Sequence, residues 1–222
     1  AVTDGSVIKA MAATLAHRGP DGIRIEQGKG WDLAHARLSI IDLEGGWQPL
    51  HGQGATVIGT GEIYNYIELT ADHGISGSLT TGSDFEPLLS LYGREGEVAF
   101  DRLRGMYALC LIDRADRRWL VRDPFGIKPL YWTKQDGKFA FASEPRALRL
   151  GEPRQIVPER IEELLSLNYS LGTGSVFEQI HRLAPGVVAE LHQRYAGQTP
   201  AADAAQHAGL HAAGLHPQRG GR

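Results

Sequence analysis

Cysteine is nearly absent: the 222 residues hold one, Cys110, so no disulfide framework exists and a reducing, cytoplasmic setting is expected. Long apolar runs are missing too. The longest, around residues 106–112, has the length of a strand, so no bilayer-spanning helix and no membrane partner are expected. Nor is one sign of charge in excess. The 23 Lys and Arg stand against 26 Asp and Glu, a net charge of −3, and the basic residues are scattered, which argues against nucleic acid as the main partner. No basic-then-apolar leader opens the chain. It begins Ala1-Val2-Thr3, which fits either a start that has lost its Met or a trimmed fragment.

What remains is ordinary globular composition, 42% apolar and 22% charged, enough for one domain of usual size and a tail. We place the domain at 1–193. Over 194–222 the sequence turns to Ala, Gly, His and Gln, with Leu210 and Leu215 the large aliphatics, too few to offset ordering entropy, so a low-complexity, disordered tail is expected. His207, His211 and His216 lie in it, but a mobile tract holds no ligand geometry, and no metal site is expected.

Periodicity predicts a first helix over 6–17, with Ile8, Met11 and Leu15 on one face and Ser6 as its cap, ended by Arg18-Gly19-Pro20. Strands are predicted at 33–41, 55–58, 106–113, 119–122, 130–133 and 139–142. A second helix is predicted from Ser83, where Ser83 and Glu86 have capping-box spacing and Pro87 falls in the first turn. A third is predicted from Pro158, with Ile161, Leu164, Leu165 and Asn168 on one side. Many short strands mixed with few helices point to a layered α+β fold.

The motifs are modest one by one. His17-Arg18-Gly19-Pro20-Asp21-Gly22 reads as a turn. Arg37, with apolar neighbours, reads on its own as a snorkelling surface residue, although a planar fork can also grip a carboxylate with two parallel bonds. Gly59-Thr60-Gly61 after a short apolar strand would let a backbone approach a ligand with its amides toward an oxygen. Asp84, at a helix start, sits where the helix dipole favours an ionised carboxylate. The Arg122–Tyr131 segment, with two prolines and a glycine, reads as an architectural connection between strands, and Ser143-Glu144-Pro145 is similar.

In their order and spacing, however, HRGPDG, AHARLSIIDLEGGWQPL, GEIYNY, TGSDFE, LRGMYAL, RDPFGIKPLY and FASEP closely resemble the class II glutamine amidotransferase domain of glutamine-hydrolysing asparagine synthetases. The resemblance runs over about 6–191, including GTGSVF at 172–177 and LAPG at 183–186. It implies the N-terminal nucleophile hydrolase fold, a four-layer αββα sandwich. It further implies hydrolysis of glutamine to glutamate, with the ammonia passing to a synthetase domain that uses ATP and magnesium to make asparagine. That partner domain is not found in this sequence, and no cofactor is expected in this chain. By the same resemblance Arg37 would clamp the α-carboxylate of glutamine and Asp84 its α-ammonium, with the Ile41 backbone and Glu62 completing the pocket. The Gly61 amide would donate to the oxyanion, with the side chain at 60 as second donor.

Three departures bear on activity. The family's nucleophile is an amino-terminal cysteine on a leading strand; no such strand precedes the first helix here, and Cys110, in an apolar strand, reads as a structural thiol. Position 60 is Thr where the family carries Asn. The 113–122 hairpin is about one residue short, so a bulge or register shift is expected there. This leads to a glutaminase domain, lacking its first strand and inactive as given, with a non-catalytic glutamine-binding or interaction module as the alternative.

Overall fold

A computed structural model describes residues 5–135, 137–149, 155–191 and 210–212. In chain order the elements are α1 (Ser6–Thr14), β1 (Gly22–Gly28), β2 (Trp31–Arg37), β3 (Leu50–Gly52), β4 (Ala55–Ile63), α2 (Tyr66–Asp72), α3 (Glu86–Glu95), β5 (Gly105–Asp113), β6 (Arg118–Arg122), β7 (Tyr131–Gln135), β8 (Lys138–Ala142), α4 (Pro158–Leu167), β9 (His181–Arg182), β10 (Val188–Leu191) and β11 (Leu210–Ala212).

β5 explains the architecture. Its run Tyr107–Ile112 is apolar at nearly every position and buried on both faces, as a central strand covered on two sides must be. It lies inside an antiparallel sheet ordered β11-β10-β6-β5-β4-β3. One face of that sheet presents Val57, Leu109, Leu111, Trp119 and Val121 to Leu88, Leu89 and Leu91 of α3. The other presents Ile58, Ala108, Cys110 and Leu120 to Leu33 of β2 and to Leu130 and Trp132 at β7. The second layer thus comprises the β1-β2 hairpin and the sheet β8-β7-β9. Its outer side meets α1 through Met11 and Leu15, which pack on Ala142, Ala147, Leu148 and Ile180. The result is helix, sheet, sheet, helix: the αββα sandwich.

Several local expectations change. The first helix starts at Ser6, but its cap is Gly5 in the left-handed region, and the helix ends at Thr14, followed by a separate 3-10 turn at Ala16–Arg18. Ser83 and Glu86 do not form a capping box. Glu86 reaches back to accept from the backbone N–H and hydroxyl groups of both Thr80 and Thr81, at 2.6–2.8 Å. Ser83 Oγ accepts from Phe85 N instead. Asn168 is not on the face of α4 but caps its end at φ 59°. The 113–118 hairpin closes without disturbing the ladder, pairing through Ile112 and Arg118, with the Asp113 carboxylate accepting from the Ala115 and Arg117 amides. Most of the tail assigned to disorder, with His207 and His216, lies outside the described residues; within it, Leu210–Ala212 pairs with β10.

Candidate functional site

β2 was expected to run through Ile41 but stops at Arg37. The cause is Asp21, from the HRGPDG turn. Its N–H donates to Arg37 O (3.1 Å), and its carboxylate accepts from Ser39 N (2.7 Å), so the bonds that would continue a ladder are taken. That second contact also holds the Asp21 carboxyl below the usual carboxylate range. Gly19 makes the approach possible, since a Cβ there would fall 2.1 Å from the Ala36 carbonyl carbon. Residues 38–46 consequently form a loop, with Leu38, Ile40 and Leu43 exposed and Ile41 half-buried.

Arg37 is not the surface residue its neighbours suggest; it is only 3% exposed. Its guanidinium lies over the Trp47 ring, 4.6 Å from the centroid, and its Nη2 donates to Asp42 O. Its Nη1 is buried and has no hydrogen-bond partner among the described residues. One arm of the fork is therefore fixed by the protein and the other is left for an acceptor, a state a buried donor tolerates poorly unless a ligand completes it.

β4 lies beside it. Tyr107 O accepts from Asp123 N toward β6, so Tyr107 and its opposite residue Gly61 form a non-hydrogen-bonded pair in the β4–β5 ladder. Gly59, Gly61 and Ile63 accordingly turn their N–H groups away from β5. Gly59 N reaches Gln48 Oε1, and Ile63 N reaches Asp84 Oδ2 at 2.7 Å. The Gly61 N–H points the same way, between them. Gly61 has φ 122°, and a Cβ would lie 1.9 Å from Met106 O, so only glycine fits. Strand alternation puts Thr60 and Glu62 on the sheet face that carries Ile58 and looks toward β2. The Thr60 side chain and the Gly61 amide therefore leave β4 in different directions.

Asp84 sits just ahead of α3, 6% exposed. Burial raises its pKa; the Ile63 N–H opposes this, and the Glu62 charge adds to it. A buried carboxylate of that kind favours a cationic partner. The loop carrying it is joined to the Arg37 loop, because Gly82 N donates to Asp42 Oδ2 (2.8 Å). The structure thus brings Arg37, Ile41, Thr60, Gly61, Glu62 and Asp84 to neighbouring loops and one strand. A hollow of about 330 Å³ opens between α2 and the Asp84 loop, lined by Tyr66, Ile67, Thr70, Leu79, Thr81 and Ser83, but no charged side chain lines it, so it is a poor match for a zwitterion.

Cys110 takes no part. It is buried in β5, and burial pushes its thiol up to about 12. Among the described residues no group of three or more His, Cys, Asp or Glu is placed to hold a metal ion.

The family model described as a glutamine amidotransferase domain matches residues 1–200. The chain belongs to that family. Asparagine synthetase [glutamine-hydrolyzing] 1 of Bacillus subtilis is 36% identical over 185 residues, 81% of this chain and 29% of that protein. Asparagine synthetase B of Escherichia coli is 41% identical over 142 residues, 62% of this chain and 26% of that protein. The chain therefore spans less than a third of these relatives' length. A solved structure titled as the allosteric regulatory enzyme of purine biosynthesis shares the fold, with a TM-score of 0.50 at 20% identity over 72% of this chain and 32% of the other.

The motifs of this amidotransferase domain hold further residues that the sequence reading passed over. Trp47 and Gln48 belong to the GGWQPL stretch but drew no role, and their contacts with Arg37 and Gly59 are visible only once the loop folds back. His35, two residues before Arg37 on the same face of β2, is largely buried, and its Nδ1 has no hydrogen-bond partner among the described residues. Burial, helped by the Arg37 and Arg24 charges, lowers its pKa to about 4. The architectural reading of Arg122–Tyr131 holds: Asp123 is fully buried and accepts from the Phe125, Ile127 and Lys128 amides, while Arg122 donates to Lys128 O, Gly126 O and Leu183 O. Glu144 ties the HRGPDG turn to the FASEP segment through His17 and Arg18.

Proposed function

We propose that the chain binds glutamine as the ammonia-supplying domain of an asparagine synthetase, placing the amino acid between Arg37 and Asp84. The observation that carries this is the Arg37 guanidinium, buried and stacked on Trp47 with Nη1 unpartnered among the described residues, one loop away from a buried carboxylate. In this reading the α-carboxylate of glutamine accepts from Arg37 Nη1. The α-ammonium donates to Asp84, and its charge favours the ionised form that burial opposes. The Ile41 backbone and Glu62 flank the amino-acid end. The carboxamide then reaches Gly61, whose N–H serves in this reading as the oxyanion donor.

Hydrolysis converts glutamine and water to glutamate and ammonia through a thiolate in this family. The single cysteine of these 222 residues is buried in β5 with its thiol pushed up to about 12, so the proposal assigns no nucleophile to this chain. Thr60, in place of the family's Asn, leaves β4 in a different direction from the Gly61 N–H. In this reading the oxyanion site therefore has the Gly61 amide without the second donor, a loss on the order of 100-fold or more where such a donor is removed. Thr60 at this position favours, as a second reading, a glutamine-binding module without catalysis. In the same reading the synthetase reaction, with its ATP, magnesium and acceptor carboxylate, is assigned to the part of the longer relatives that this chain does not span. A cytoplasmic setting suits such metabolism, and no helix among the described residues is long and apolar enough to cross a membrane.

Isothermal calorimetry tests the binding claim. Glutamine is expected to release or absorb heat on titration into the chain, and Arg37→Ala is expected to weaken it at least about 10-fold, the scale of one charge-assisted bond. Equal affinity of the two proteins would remove the proposal. Ammonia release by the chain on its own would remove the second reading.

A further inference from the structure

The Arg37 and Asp84 ends of the site are built on separate elements, one on β2 and one ahead of α3. Asp42 joins them. It lies in the 38–46 loop at φ 53°, a left-handed conformation that Asp tolerates better than most residues. Its carbonyl oxygen accepts from Arg37 Nη2. Its Oδ1 accepts from Gly45 N at 2.9 Å, which folds its own loop, and its Oδ2 accepts from Gly82 N at 2.8 Å, two residues before Asp84. Glycines let these loops close on the carboxylate. A Cβ at Gly45 would meet Asp42 Oδ2 at 2.4 Å, and one at Gly82 would meet the Asp42 Cβ at 3.3 Å.

We infer that Asp42 is a positioning residue that sets the separation of the Arg37 and Asp84 groups and so selects a ligand carrying both an α-carboxylate and an α-ammonium. The inference rests on the glutamine reading above. Each end keeps its own support without Asp42: Arg37 stays stacked on Trp47, and Asp84 keeps the Ile63 N–H. What is lost is their fixed relation, and with it the advantage of a ligand that engages both ends at once.

The test compares glutamine with glutaramate, the same molecule without its α-amino group, by calorimetry on the wild-type chain and on Asp42→Ala. Wild type is expected to prefer glutamine. In Asp42→Ala glutamine affinity is expected to fall about 10-fold and glutaramate affinity by less than about threefold, so the preference shrinks. Asp42→Asn, which keeps one carbonyl acceptor, is expected to fall between, and it carries the same comparison if the alanine variant does not fold. Faster hydrogen exchange at the Gly45 and Gly82 amides in either variant is expected alongside. Equal loss for both ligands marks a general structural defect and overturns the inference; so does an unchanged preference. A wild-type chain that binds neither ligand overturns the glutamine reading and this inference with it. A wild-type chain that binds glutamine while Asp42→Ala keeps the full preference overturns this inference alone.

Discussion

His35 gives the stability of this domain an acid-sensitive component. In the folded chain the imidazole is buried beside Arg37 and Arg24, and its pKa falls to about 4 from an ordinary 6.5. A histidine whose folded pKa lies below its unfolded value contributes stability that is complete above the unfolded pKa. That contribution is lost as pH falls from 6.5 toward 4, because the unfolded chain takes up the proton first. At about 1.4 kcal/mol per unit the whole span amounts to about 3 kcal/mol, and the part lost between pH 7 and pH 5 is about 2 kcal/mol. Urea unfolding followed by tryptophan fluorescence, repeated across that range, measures it. Burial also lowers the pKa of His181, which acts in the same direction, and the raised pKa of Asp84 acts in the opposite one. The comparison with His35→Gln isolates the term. The variant's stability is expected to decline by about 2 kcal/mol less than wild type between pH 7 and pH 5. Parallel declines would refute the reasoning, since they would mean that His35 titrates normally in the folded chain.

Glutamine affinity is expected to weaken as pH falls through the elevated pKa of Asp84, because protonation removes the partner of the α-ammonium. Calorimetry in two buffers of different ionisation enthalpy should register proton release on binding as the pH nears that elevated pKa, and Asp84→Asn should abolish it. Gly61→Ala is expected to destabilise the fold by about 2–4 kcal/mol in urea, since the new Cβ would meet Met106 O at 1.9 Å on a backbone at φ 122°. A change below about 1 kcal/mol would mean that β4 and β5 can separate there without strain.

Legibility in the sequence followed the range of the forces involved. β5 was readable because a run buried on both faces needs apolar residues at successive positions, and the start of α3 was close because Pro87 suits a first turn. β1 was missed: Ile23 and Ile25 alternate with Arg24 and Glu26 on a hairpin with much exposed surface, which gives a weak signal. The end of β2 was misplaced because Asp21, 16 residues before Arg37, takes its carbonyl, and apolar alternation through Ile41 cannot reveal that. The same holds for Glu86, whose spacing from Ser83 suited a capping box but whose carboxylate found four donors on Thr80 and Thr81. At the candidate site, Arg37, Gly61 and Asp84 were singled out through their motifs. Their supports were not: Trp47, Gln48 and Asp42 act through contacts made only after residues 38–50 fold back over β2 and β4.

The most direct test of the account is a crystal structure of the chain with L-glutamine. The α-carboxylate is expected within hydrogen-bond distance of Arg37 Nη1, the α-ammonium on the Asp84 carboxylate, and the carboxamide oxygen facing the Gly61 N–H. Glutamine seated in the hollow between α2 and the Asp84 loop, or bound with its amino-acid end away from Arg37, would contradict it.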